Sequence, residues 1–575
     1  MAWYDEAVFY HIYPLGLSGA PKENHYGTPE HRLNTLIPWI SHIKEIGCDA
    51  IYIGPLFESV GHGYETTDYK KLDSRLGTNE DLANYVAECH KQGIRVILDG
   101  VFNHTGRDFF AFEDIKKNRE GSAYKDWYCN VNFWGNNQYN DGFSYENWGG
   151  YDLLVKLNQH NPAVRDYICD VIRFWVSEFD IDGIRLDAAD VLDFNYMQAL
   201  RAVANEVKPD FWLMGEVIHG DYTRWVNEGT LHSVTNYQLH KALYSGHNDH
   251  NYFEIAHTVK NLYAKGGNRP DGLKLYNFVD NHDVERIYTK LNKKEHFAPV
   301  HILLYTLPGV PSIYYGSEFG IEGRKERFSD DSLRPALSLS DYKDAIRENS
   351  FTRLIAALGK VRKNTPALSY GDYKELLLTN RQYAFSRNYN GESVLVTVNN
   401  DDSDYVMTLP AGNVSEYAGA LSGERVTVSG GNIVINVKAN AGDIWLPVSG
   451  SAAAQKEAQP VVLNISDAAS RIKTSEKVQE VNITAESKAR ETSNSASKAK
   501  ASDQVQAEKA SEQKKEIPSA VQKDSEEFQK GRIAGLQEAI LAIMEKNGPV
   551  TDQMRKDVLD NVYHDSLITW IKSFR

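Results

Sequence analysis

The sequence predicts an α/β fold, a (β/α)8 or TIM barrel with a loop-rich domain inserted after its third strand. A C-terminal antiparallel β domain and a linker-tethered helical tail follow. Three observations predict it. Short, apolar, β-rich runs alternate with longer helical patterns, as a parallel sheet covered by helices requires. Eight such runs are found, the number that closes a barrel. After about residue 368 the pattern changes to short alternating strands with Asn, Gly and Asp turns.

The barrel strands are expected near Val8–Tyr13, Ala50–Ile53, Arg95–Asp99, Gly183–Asp187, Phe211–Gly215, Ser233–Thr235, Lys274–Val279 and Ile313–Tyr315. They divide the barrel into residues 1–104 and 161–367, with 105–160 as the insertion, far longer than an ordinary βα connection. The insertion is rich in Asn, Gly, Trp and Tyr, so its rings are expected to line one wall of a cleft. Residues 368–448 form the β domain, with strands at Phe385–Arg387, Ser393–Val398, Asp404–Thr408, Arg425–Val428 and Ile433–Val437. Residues 449–525 are rich in Ala, Ser, Lys, Glu and Gln, interrupted by two small apolar patches, PVVLNI at 460 and VQEVNI at 478, and without aromatics they can hardly bury the apolar surface that offsets chain ordering, which predicts a flexible linker. Two apolar helical faces in 526–575, separated by Asn547-Gly548-Pro549, predict a helical hairpin suited to self-association or a protein partner.

The formal net charge of −15 excludes broad affinity for nucleic acid or an anionic membrane and suits a neutral substrate. Cys48, Cys89, Cys129 and Cys169 form no CxxC pair and read as free thiols. The start, MAWYDEAVFYHIYP, has no secretory pattern, and no later run is long and apolar enough to span a bilayer. A cytoplasmic location is therefore expected.

Three carboxylates stand at ends of predicted strands, the face where barrel active sites assemble. Asp187 ends GIRLD, with Arg185 two positions earlier on the same side of the strand, able to keep it ionised. Glu216 ends LMGE, where apolar neighbours can raise a carboxyl pKa and make it a proton donor. Asp283 closes NFVDNHD, a run of polar groups that would be costly without partners. A structural ion pair or a loop-capping network would account for each alone; repetition at three strand ends favours chemistry. DGVFNH adds a buried acceptor, Asp99, with Asn103 and His104, and GHGYETTDY adds Tyr64 and Asp68.

DGVFNH at 99, GIRLDAADV at 183, GEV at 215 and FVDNHD at 278 resemble, in order, the four sequence blocks of the α-amylase superfamily, glycoside hydrolase family 13. GYETTDY at 63, GVPSIYYGSEFG at 309 and DSLRP at 331 extend the resemblance over about residues 7–448. The resemblance implies Asp187 as nucleophile, Glu216 as general acid/base and Asp283 as the third essential carboxylate. It implies Arg185 as support for the nucleophile, His104, His282 and Arg334 as holders of the reacting sugar, and Tyr64 as a stacking ring with Asp68 as its polar support. It also implies a retaining glycoside hydrolase that requires no cofactor.

LVKLN at 154 resembles the MPKLN block of neopullulanase and cyclomaltodextrinase relatives, which implies α-1,4 cleavage in maltodextrins or cyclodextrins. Two features depart from them: the first barrel strand begins near residue 8 with no preceding carbohydrate-binding domain, and Asp190-Val191 replaces their Asn-Glu. Val191 offers no side-chain oxygen, so a structural calcium, for which Asn103 is the one retained ligand, is not expected. A transglycosylase or α-1,6-active glucosidase would use the same carboxylates. A carbohydrate- or partner-binding protein acting through its tail is the reading from another class.

Overall fold

The computed structural model describes residues 2–448 apart from Asn268, Pro270 and Phe328, the run 461–465, and single positions 467, 537, 541 and 555. Eight parallel strands, β1 (Phe9–Ile12), β2 (Ala50–Ile53), β3 (Arg95–Gly100), β4 (Gly183–Leu186), β5 (Trp212–Gly215), β6 (Ser233–Val234), β7 (Tyr276–Asn277) and β8 (Val310–Tyr314), pair in the order β6-β5-β4-β3-β2-β1-β8-β7. A parallel bridge between Thr235 and Tyr276 joins β6 to β7 and closes the barrel. Both faces of the strands are buried, which is why they read as continuous apolar runs. Phe9, Ala50, Tyr52, Ile97, Trp212, Met214, Tyr276 and Val310 fill the barrel interior, while Tyr10, Ile51, Leu98 and Ile184 pack outward in the helical layer.

β6 and β7 are only two residues long, shorter than the sequence suggests, because side chains replace ladder bonds there. Asn236 Nδ2 donates to Asn277 Oδ1 (2.8 Å), and Asn277 Nδ2 donates to the Pro308 carbonyl (2.9 Å).

The long excursion after β3 folds as a helix, Phe110–Asn118, and a three-stranded sheet of His104–Thr105, Tyr151–Lys156 and Asn147–Trp148. The β domain is a six-stranded antiparallel sheet with a separate two-stranded ribbon. It includes three strands not read from sequence, Lys374–Leu378, Glu416–Gly419 and Ala441–Pro447. The last contains Asp443, a poor strand residue, which is buried because its carboxylate accepts from the Leu421 and Ser422 amides at 2.8 and 3.0 Å. Buried Arg387 ties this domain to the barrel, donating to the Thr306 carbonyl (2.6 Å) at the end of helix Phe297–Thr306.

The chain divides into two compact units, Met1–Ile483 and Thr484–Arg575. The tail's helical hairpin falls almost wholly outside the described residues; Gln537 and Leu541 are buried helical positions and Arg555 an exposed one. Within the predicted flexible linker the described residues 461–465 are docked, a correction to that expectation. Val461, Leu463 and Ile465 pack on the core while Val462 between them is 71% exposed, the alternation of an extended strap. Val461 N donates to the Leu421 carbonyl (3.1 Å), Asn464 N to Ser350 Oγ (2.8 Å), and Ser350 N to Asp467 Oδ2 (3.0 Å). Val461, Leu463 and Ile465 supply burial that the surrounding polar composition hides.

Val461 and Leu463 also border a cavity of about 360 Å³ beside Leu421 and Trp445, so the strap is only partly packed and its contribution is modest. In the full chain, the double substitution Leu463→Asp and Ile465→Asp is expected to lower stability by about 1–3 kcal/mol, with Val462→Asp unchanged. Equal denaturation midpoints for all three proteins would show that the docked strap contributes nothing.

Candidate active site

The site grows out of one register pairing. Asp99 on β3 and Arg185 on β4 are direct neighbours in the parallel ladder, with both side chains directed into the barrel. Arg185 Nη1 contacts Asp99 Oδ1 and Asp187 Oδ1, each at 2.8 Å, and its Nη2 contacts Glu216 Oε2 at 2.9 Å. One enclosed guanidinium therefore joins the ends of three adjacent strands, with its planar fork holding each acid in place.

Local backbone geometry brings Glu216 in. A Cβ on Gly215 would lie 2.5 Å from Leu231 Cδ1 and 2.7 Å from Ala189 Cβ, so only glycine permits the close approach of β5 to its neighbours. Ala188 is left-handed (φ 46°), a conformation costing an L-residue roughly 1–2 kcal/mol. That turn aims the Ala188 amide at Glu216 Oε2 (3.1 Å). Tyr237 OH donates to the other oxygen, Oε1, at 3.4 Å.

Asp283 lies on the opposite wall of the same cleft. Arg334 Nη2 donates to its Oδ1 (2.9 Å), and His282 Nε2 lies 3.1 Å from its Oδ2. Arg334 Nε donates to the His282 carbonyl (3.0 Å), which locks the two residues together. Tyr64 OH donates to Asp99 Oδ2 (3.0 Å) and touches His282 Nε2, linking the two carboxylate groups. The cleft, about 310 Å³, is lined by Tyr64, His104, Asp187, Glu216, Asp283 and Arg334, with Trp148 and Leu154 from the insertion and Ile218 forming an apolar side.

The three carboxyls differ electrostatically. Burial pushes Asp187 well above the usual carboxylate range, against the pull of Arg185 and with the push of Glu216 and Asp99. Burial likewise raises Glu216, opposed by Arg185 and reinforced by Asp283. Because both touch one guanidinium, they titrate as a coupled pair, with burial working against ionising both. Burial alone would raise Asp283 too, but His282, Arg334, Arg185 and Lys325 hold it down at about 2. His282 is itself held neutral by burial, to about 3, so the arginines and Lys325 supply the fixed charge at neutral pH.

Residues 27–360 match the alpha amylase catalytic domain and 371–445 the alpha-amylase C-terminal domain. The chain belongs to the alpha-amylase family. It is 30% identical over 434 residues to a cyclomaltodextrinase of Thermoanaerobacter pseudethanolicus, covering 71% of this chain and 72% of that protein. It is 29% identical over 469 residues to neopullulanase 2 of Thermoactinomyces vulgaris, covering 77% and 78%. Among solved structures, an Anoxybacillus alpha-amylase superposes with a TM-score of 0.65 at 26% identity, covering 78% of this chain and 100% of that one. The protein is thus an alpha-amylase-family glycoside hydrolase.

Of the site residues read from sequence, the structure brings Tyr64, His104, Arg185, Asp187, Glu216, His282, Asp283 and Arg334 to this alpha-amylase-family cleft. His104 Nε2 donates to the Tyr64 carbonyl (3.1 Å), and its Nδ1 faces Asn103 Nδ2 (3.2 Å), so it also buttresses the Tyr64 loop. Asp68 is not brought in. It is exposed on strand Thr66–Leu72, where its carboxylate accepts from the Lys70 amide (2.8 Å). The polar partners of Tyr64 are instead Asp99 and His282 at its hydroxyl and His104 at its carbonyl, while buried Glu65 accepts from the Gly63 amide (3.2 Å) and pairs with His62 (3.2 Å). Tyr237, Tyr52, Asp190 and Asp330 were missed. Tyr237 follows the shortest barrel strand, and Tyr52, whose OH donates to Asp99 Oδ2 (2.8 Å), reads in sequence as ordinary strand core.

The electrostatics imply a pH dependence of stability. Burial lowers His104 and His282 to about 3, whereas an unfolded histidine titrates near 6.5. Between those limits the unfolded chain binds protons that the folded one refuses, so stability falls on acidification by about 1.4 kcal/mol per pH unit for each histidine. Asp283, depressed to about 2, withdraws its own contribution only as pH falls from about 4 towards 2. The denaturation midpoint is expected to fall between pH 7 and 5, with a shallower slope in the His104→Gln, His282→Asn double variant. An unchanged slope in that variant would contradict this assignment.

Proposed function

We propose that the protein is a retaining hydrolase of α-1,4-glucosidic bonds in maltodextrins or cyclodextrins. The observation that carries the reading is the Arg185 cluster: Asp187 and Glu216 rest on one guanidinium at the cleft floor, both raised by burial, with Asp283 held low opposite. Adjacent guanidinium nitrogens hold the two carboxylates close, as two-step retention requires. The names of the cyclomaltodextrinase and neopullulanase relatives support the substrate class.

In the reactive complex Glu216 carries a proton and Asp187 is ionised. Asp187 Oδ attacks the anomeric carbon as that carbon's bond to the glycosidic oxygen breaks, and Glu216 gives its proton to the departing oxygen. A β-linked glucosyl ester on Asp187 and a free sugar hydroxyl result. Glu216, now ionised, takes a proton from water; the hydroxide equivalent adds at the anomeric carbon, Asp187 leaves, and the α configuration returns. Asp283, whose negative charge persists across the working range, faces the positive charge that develops on the ring. Tyr237 holds Glu216 Oε1, limiting its rotation between the two steps.

The apolar side formed by Trp148, Leu154 and Ile218 favours a second outcome, transfer of the glucosyl unit to a sugar. Ile218 stands two residues beyond Glu216, where a departing or incoming sugar would pack, and such a surface holds a sugar face better than water.

A product time course on maltoheptaose, β-cyclodextrin and pullulan tests the reading. Ring opening and short α-configured maltooligosaccharides are expected, with a loss of at least about 10⁴-fold in Asp187→Asn. Release of glucose from isomaltose with no α-1,4 cleavage would overturn the linkage assignment, and β-configured first products would overturn retention.

We also propose that no structural calcium is held at Asn103. Its Oδ1 accepts from Gln159 Nε2 (3.1 Å), and Gln159 Oε1 in turn accepts from the Asp193 amide (2.6 Å), so the oxygens that would ligate a hard cation are engaged. The melting temperature should be unchanged by excess EDTA; a fall of several degrees that added calcium reverses would refute this.

A further inference from the structure

His11 is the third residue of β1 and points into the barrel beneath the cleft. Its register neighbours are Tyr52 on β2 and Tyr314 on β8. Its ring stacks on Tyr52 (4.2 Å between centroids) and stands perpendicular to His282 at 5.1 Å. One nitrogen of each of these neighbouring rings is buried without a partner, His11 Nε2 and His282 Nδ1. Buried polar atoms are rarely left so, and two in neighbouring rings call for a common explanation.

The surroundings of His282 fix where its proton lies. Its Nε2 faces Tyr64 OH and Asp283 Oδ2. The single Tyr64 proton is given to Asp99 Oδ2, so the Tyr64 oxygen can only accept from His282, and the ionised Asp283 carboxylate can only accept. Nε2 of His282 must therefore carry the hydrogen. In a neutral ring that leaves Nδ1 as a buried acceptor in need of a donor. The two nitrogens are not bonded in this arrangement, but imidazoles joined by an N–H···N bond of about 3 Å have centroids roughly 5 Å apart, so at 5.1 Å a rotation of the rings, without any approach, would join them.

We propose that His11 is a positioning residue for His282, donating its Nε2–H to His282 Nδ1 and so holding the His282 proton on the Nε2 that faces Tyr64, Asp283 and the cleft. The opposite tautomer would turn a lone pair towards the Asp283 carboxylate and the Tyr64 oxygen, breaking the link between the two walls. His11 touches neither substrate nor Asp283; it acts through His282. Its catalytic consequence rests on the proposed hydrolysis, whereas its effect on the tautomer does not.

The test compares His11→Gln, which keeps an N–H donor, with His11→Met, which keeps an unbranched chain of similar size without one. Melting temperatures, kcat and KM on maltoheptaose, and histidine-selective 15N spectra assigned with His282→Asn are measured on the full chain at pH 7. The expected result is a single Nε2–H tautomer of His282 in the native protein and His11→Gln, and a mixture in His11→Met. In His11→Met, kcat should fall about tenfold with KM little changed, and His11→Gln should stay within about threefold of native. Should His11→Met not fold, His11→Phe, which preserves the stack on Tyr52, takes its place. An Nδ1–H tautomer in the native protein, or equal behaviour of the donor-keeping and donor-lacking variants, overturns the proposal. Inactivity of the native protein on every α-1,4 substrate would instead fall on the proposed function and leave the spectral test standing.

Discussion

The Arg185 guanidinium is the fixed point of this molecule. It lies inside the barrel among Asp99, Asp187 and Glu216, each within 2.9 Å. Burying one cation with one anion is a near balance of desolvation against attraction. Burying it with three overcompensates its charge, so the group as a whole resists full ionisation. The excess negative charge works with burial against ionising both Asp187 and Glu216, the direction that acid catalysis at neutral pH needs. Asp283 escapes it because Arg334 and Lys325 stand on its own wall, giving one cleft two carboxyl environments.

That arrangement constrains the fold in turn. Asp99 and Arg185 meet only because β3 and β4 pair in one register, and a slip of one residue would send Arg185 outward among the helices. The barrel must also close, since His282 and Asp283 follow β7 while Asp187 and Glu216 follow β4 and β5. The short β6 and β7, joined by the Thr235–Tyr276 bridge and by the Asn236–Asn277–Pro308 side-chain bonds, perform that closure. The weakest part of the sheet by strand length is therefore the part that brings the two walls of the cleft together.

These facts explain what the sequence disclosed. The strands bearing Asp187 and Glu216 were legible because a doubly buried strand is an uninterrupted apolar run, and a charged residue at its end stands out. The insertion was legible from its length, and Trp148 and Leu154 do line the cleft as its aromatic composition suggested. The strap at 461–465 was legible as an apolar patch but not as a docked one, because its five residues sit in a long polar tract and only the alternation of Val461, Leu463 and Ile465 marks a buried face. Asp68 misled because its role came from the motif resemblance alone; on strand Thr66–Leu72 it falls on the exposed face, whereas Glu65, just before the strand, is buried. Strand Ala441–Pro447 hid behind Asp443, whose burial is licensed by amides from another part of the chain.

The same limit explains why Tyr52 and Tyr237 were not read as parts of the site. Each is an aromatic residue on or beside a strand, indistinguishable in sequence from those that merely fill the core. Their difference lies in one atom: Tyr52 OH reaches Asp99 and Tyr237 OH reaches Glu216. A barrel packs its interior with large side chains in layers, and the uppermost layer is the floor of the cleft. A tyrosine in that layer serves both purposes at once, its ring closing the core and its hydroxyl holding a carboxylate. Core and site are therefore continuous in this molecule, and the boundary between them is crossed by the hydroxyls of Tyr52, Tyr64 and Tyr237, not by any break in the packing.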